Sequence, residues 1–76
     1  MPSATITDHD IALLRRDSER HGDLEQAALC VLALGGRDAL RGAERGTEWA
    51  RLFTSRRSQA SARRSCAAVI VAARAE

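Results

Sequence analysis

Polar and apolar positions along the chain fall into helical blocks separated by glycine. Ile11, Leu13 and Leu14 sit among charged residues between Thr7 and His21. Thr7-Asp8-His9-Asp10 reads as a capping box with Asp at the position Glu or Gln more often fills, and Ile6 with Ile11 has the spacing of a hydrophobic staple. Asp8 and Asp10 suit the positive end of a helix dipole, and Arg15, Arg16 and Arg20 its negative end. Gly22 stands where a helix turns off, so the pattern predicts a first helix over Asp8 to His21.

Asp23, with Gln26 three positions on, predicts a second start. The run Ala27 to Leu34 is apolar at every position. A helix apolar on all sides is buried on all sides. A buried strand has the same apolar run, but Ala and Leu dominate here and a cap precedes, which favours a central helix ended by Gly35-Gly36. Beyond it, Asp38 is read as capping Ala39 to Arg45, with Gly42 weakening that helix, and Thr47 as capping Glu48 to Phe53, which places Trp49, Leu52 and Phe53 on one face. Residues 37–54 thus form two short helices or one bent one. A last helix is expected over 56–74, with Ala62, Cys66, Val69, Ile70 and Ala73 inward and Arg56, Arg57, Arg63, Arg64 and Arg74 on the far side. Hairpin signals are absent and β-branched residues few. The expected fold is all-α: one domain over 1–76, with 1–6 as a flexible N-terminus, built as a small bundle of 3–5 helices around a buried apolar centre, with an amphipathic, Arg-striped C-terminal helix.

Charge sharpens this picture. All 12 basic residues are arginine. Residues 1–50 carry nine acids and six arginines, and 51–76 carry Glu76 alone against six arginines, which together give the net +2. A basic segment at one end of a small domain points to an anionic or acidic partner. No acid lies between Glu48 and Glu76, so no i,i+4 partner neutralises the stripe within its helix, and unpaired guanidinium groups suit phosphate or carboxylate. The residues expected to touch a partner are Arg56, Arg57, Arg63, Arg64, Arg51 and Trp49, the last because Trp and Arg dominate interface hot spots. A solvated helix face and a core role for Trp49 are the plainer readings of the same residues. The stripe contains no aromatic for base stacking, and Gln59 is its one amide for reading adenine.

Catalysis has little to rest on. His9 and His21 lie at helix ends without a paired nucleophile and orienting group. Gly35-Gly36-Arg37-Asp38 lacks the Lys-Ser/Thr of a phosphate loop. The spacing of His9, His21, Cys30 and Cys66 lacks the short pairs typical of structural zinc. No enzyme activity, cofactor or metal is therefore expected. Cys30 and Cys66 read as reduced core thiols, with a disulfide open should their helices pack together. No run of apolar residues is long enough to span a membrane, and MPSATITDHD has neither the basic nor the apolar region of a secretory signal, so a cytoplasmic location is expected.

Gly22-Asp23-Leu24-Glu25-Gln26-Ala27-Ala28-Leu29-Cys30 with Ala33-Leu34, and the ending Cys66-Ala67-Ala68-Val69-Ile70-Val71-Ala72-Ala73-Arg74-Ala75, resemble short all-helical proteins of proteobacterial phages and mobile elements. The two patches cover about a quarter of the chain, and the stretch between them is longer than in those proteins. The resemblance implies a helical accessory protein and carries over no catalytic residue. Proteins of this setting often act by stoichiometric binding, anti-CRISPR inhibitors of host defence among them. The expected function is a non-enzymatic protein that binds and blocks a protein partner, a CRISPR effector complex being the named candidate. The alternative is a small Arg-rich DNA- or RNA-binding accessory protein or regulator, contacting nucleic acid through the stripe. Homodimerisation stays open, since small cores often gain area that way.

Overall fold

A computed structural model describes residues 5–43 and 58–75, and among these residues three helices pack as a bundle. Helix α1 spans Asp8–Arg20, α2 Leu24–Gly42 and α3 Gln59–Ala75, with no strand among the described residues. The middle helix packs against both others, whereas α1 and α3 meet only sparsely. That arrangement gives α2 the core and leaves a cleft between its two neighbours.

The first helix begins and ends as its sequence predicts. Thr7 Oγ1 accepts from the Asp10 backbone N–H (3.2 Å), and Asp10 Oδ2 accepts from the Thr7 backbone N–H (2.9 Å), closing the capping box. At the other end, Gly22 takes φ 76°. Its N–H donates to the Glu19 carbonyl (3.2 Å) and that of Asp23 to the Ser18 carbonyl (2.8 Å), a Schellman closure that needs the left-handed residue. The helix stops at Arg20, one residue short of the expected His21, which is its C-cap. Ser18 is buried, and its hydroxyl is satisfied by the Leu14 carbonyl at 2.7 Å. Ile6, at the end of the stretch expected to be flexible, packs against the core.

Asp23 caps α2 through the Gln26 N–H (3.1 Å). Every residue from Ala27 to Ala33 is buried, and the all-round apolar run is the bundle's centre. The helix continues to Gly42, but Gly36 breaks its geometry with φ 75° and ψ −168°. Helical geometry is thus interrupted where Gly35-Gly36 is expected to end it, and the helix expected over Ala39 to Arg45 follows across the kink and ends at Gly42, with Ala43 as C-cap and Leu40 buried. A kink frees carbonyls, and freed buried carbonyls need donors. Gln59 Nε2, from α3, donates to the carbonyls of Ala33 (3.2 Å) and Leu34 (3.3 Å). The Thr47-capped helix expected over Glu48 to Phe53 lies outside the described residues.

Helix α3 starts at Gln59, later than the expected 56. Ser58 caps it, its hydroxyl accepting from the Ser61 N–H at 3.0 Å. Ala62, Cys66 and Ile70 are its buried row, each one turn from the next. Val69 is 40% exposed and Ala73 is also exposed, so the inward face is narrower than the pattern predicts. The small residues Ala28, Ala33, Ala62 and the two cysteines let α2 and α3 approach closely.

Candidate interaction surface

The cleft between α1 and α3 is an apolar groove of about 330 Å³, lined by Leu13 and Leu14 from α1 and by Val69, Ile70 and Ala73 from α3. Asp10, Asp17 and Arg74 form its polar rim. Its two walls exist because both helices are amphipathic toward α2 over a sector wider than α2 can cover. Ile11 and Ile70 reach the core, while Leu13, 47% exposed, and Val69 project beside them. Val71, 49% exposed, extends the apolar surface of α3.

Electrostatics tie the rim together. Arg74 Nη2 lies 3.0 Å from Asp10 Oδ1. The Thr7 backbone N–H and hydroxyl, and then Arg74, hold the Asp10 carboxyl below its ordinary pKa. Asp17 is exposed, with His21 Nδ1 at 3.5 Å from its carboxylate and 2.9 Å from its carbonyl, to which the ring N–H donates.

The arginines expected to meet a partner divide among different tasks. Arg63 Nη1 lies 2.7 Å from Asp8 Oδ1 and donates to the Ala33 carbonyl at 3.3 Å. One guanidinium therefore joins α3 to the first turn of α1 and to the kink of α2. With Arg74 on Asp10, two arginines of α3 have tertiary acidic partners that their own helix does not supply. Arg64 is exposed, borders a shallow hollow with Ile6, Ile11, Arg63 and Ala67, and has no ion pair among the described residues. Arg51, Arg56, Arg57 and Trp49 lie outside the described residues, as does their place in the stripe.

Sequence reasoning did not place Leu13 and Val69 at a shared groove, and it set Arg74 on the basic stripe without its partner Asp10. The Leu13-Leu14 pair and the Val69-Ile70-Val71 triplet were the available signals, since neither fits within a single stripe of a helix packed against one neighbour. Among the described residues, no group of three or more His, Cys, Asp or Glu is placed to hold a metal ion, and no helix is long and apolar enough to cross a membrane. Comparison with protein-family models, with curated proteins and with solved structures finds no match.

Proposed function

We propose that this protein is a non-enzymatic helical module that binds and blocks a protein partner, with the α1–α3 groove as its contact surface. The observation that carries the reading is the pairing of an open apolar groove with exposed Leu13 and Val69 at its walls. Concave apolar sites with a few polar groups at the rim are where anchor side chains of partners seat. The partner chemistry that fits is an apolar anchor flanked by a cation able to meet Asp17. Direct nucleic-acid binding has less support, because Arg63 and Arg74 already hold acids of α1. The narrower reading, an inhibitor of a CRISPR effector in the setting of phages and mobile elements, rests on the resemblance of the patches at 22–34 and 66–75.

The test is co-expression of the full chain with an interference complex from a matching host, followed by purification and mass measurement of the complex. The expected result is loss of interference and a complex of fixed stoichiometry that Leu13→Glu with Val69→Glu abolishes and Arg64→Glu leaves in place. Unchanged interference removes the CRISPR reading. A complex indifferent to the groove variants removes the groove as the contact.

A further inference from the structure

Cys30 and Cys66 stand apart from the groove, from the ion pairs and from any role in the proposed binding. Both are fully buried and unbonded as a disulfide, one on α2 and the other on α3. The Cys66 Sγ–H points to Cys30 Sγ at 3.8 Å. Gln26 Nε2 donates to both sulfurs, at 3.7 Å to Cys30 and 3.6 Å to Cys66. Gln26 is only partly buried, so its side chain connects the buried pair to the helix surface. The neighbouring positions that need only small size, Ala27, Ala28, Ala33 and Ala62, are filled with alanine. Within α2 and α3, sulfur occurs only at the two positions whose side chains meet at 3.8 Å.

We propose that Cys30 and Cys66 are a disulfide-forming pair, closed by thiol–disulfide exchange with a small oxidised disulfide such as oxidised glutathione, which fastens α3 covalently to α2. The first cysteine thiolate attacks one sulfur of the oxidant, forming a mixed disulfide and expelling one small thiolate. The second cysteine thiolate attacks the protein sulfur of that mixed disulfide and expels the other. The two protein thiols lose two electrons, the oxidant gains them, and the two protons end on the released small thiols. Bond formation requires the sulfurs to move from van der Waals contact to about 2.05 Å, a displacement the side chains and a small helix shift can share. Cys66 beside it and burial both push the Cys30 thiol well above its usual pKa. Exchange therefore proceeds from the fraction of molecules in which α3 has loosened, because the thiolate is the nucleophile. The pair lies 36 positions apart in the chain. A crosslink across such a loop raises the folding equilibrium constant by roughly three orders of magnitude, its main effect being on the unfolded chain.

The experiment equilibrates the full wild-type chain in glutathione redox buffers, quenches it, and reads intact mass, non-reducing mobility, helicity and urea midpoint. The expected product is a monomer lighter by two hydrogens, with unchanged helical circular dichroism and a higher urea midpoint that returns on reduction. Cys66→Ala, which matches the alanines around it, should give no two-hydrogen product under the same buffers, and the wild-type measurements stand whether or not that variant folds. Glutathionylated or intermolecularly crosslinked chains as the sole products would overturn the proposal. So would a two-hydrogen product that has lost its helical signal.

Discussion

Arg63 on α3 holds Asp8, the first residue of α1, at 2.7 Å, and with the same nitrogen caps the Ala33 carbonyl. The two contacts differ in worth. Asp8 is 73% exposed on its side chain, and exposed pairs contribute about 0–1 kcal/mol. The carbonyl at the kink is buried with Ala33 and keeps Gln59 as a donor at 3.2 Å when Arg63 is removed, so the loss there is one net hydrogen bond, about 0.5–1.5 kcal/mol, added to the ion pair. Arg63→Ala should therefore destabilise by more than Asp8→Ala, roughly 1–2 against less than 1 kcal/mol. A double-mutant cycle by urea unfolding checks this. Equal costs for the two single variants would mean that the ion pair, rather than the carbonyl cap, is what Arg63 contributes.

Gly36 makes the second prediction. Its φ of 75° and ψ of −168° fall in a region that only glycine occupies readily. A Cβ there would lie in ordinary van der Waals contact with Gln59 Oε1 at 3.4 Å, so the cost is the backbone conformation itself. Gly22 has a similar φ of 76° in the left-handed closure of α1, with open space around it. Gly36→Ala should cost about 2–3 kcal/mol and Gly22→Ala about 1–2 kcal/mol. Thermal unfolding of the two variants gives the ranking directly, and a milder effect at Gly36 would contradict the kink geometry.

Acid should loosen the start of α1. The folded pKa of Asp10 is depressed, first by the Thr7 backbone N–H. A carboxyl with a folded pKa below its unfolded value stabilises the fold above the unfolded value, near 3.9, and loses that contribution as pH falls through the folded one. Stability of the wild type should therefore fall below about pH 4. Asp10→Asn should be less stable at neutral pH and show a shallower acid loss, read from urea midpoints between pH 2 and 7. Parallel pH profiles for the two proteins would assign the acid sensitivity to other carboxylates.

Much of the fold was legible because its signals are local. The Thr7–Asp10 box, the Asp23 cap, Gly22 and the apolar run from Ala27 each act within a few residues, and each occurs where the pattern places it. The α1–α3 groove was less legible because it depends on which helices are neighbours. Helical period puts Val69 and Ile70 in one broad sector, but α2 reaches only the Ala62–Cys66–Ile70 row. The acidic partners of Arg63 and Arg74 come from the opposite end of the chain, so counting i,i+4 neighbours could not find them. Gln59, weighed from sequence as a base-reading amide, is occupied with the carbonyls that the Gly36 kink releases.

The groove makes the last prediction, which separates contact from scaffold. Leu13 and Val69 are exposed enough that polar replacements should change stability by no more than about 0.5 kcal/mol. On the proposed function the same side chains are anchors in a partner complex, and loss of an anchor costs about 2 kcal/mol or more, roughly thirtyfold in affinity. Leu13→Ser and Val69→Ser should each weaken partner binding by that factor at unchanged melting temperature. Calorimetry of the wild-type complex should give a negative heat-capacity change from apolar burial. Salt should have little influence, whereas four arginine–phosphate contacts on duplex DNA would give a log–log slope of about −3.6. Arg64→Glu tests that contrast, because it reverses an exposed arginine that holds no acid among the described residues. Binding that falls steeply with salt, collapses with Arg64→Glu and ignores Leu13→Ser would move the contact from the groove to the arginines.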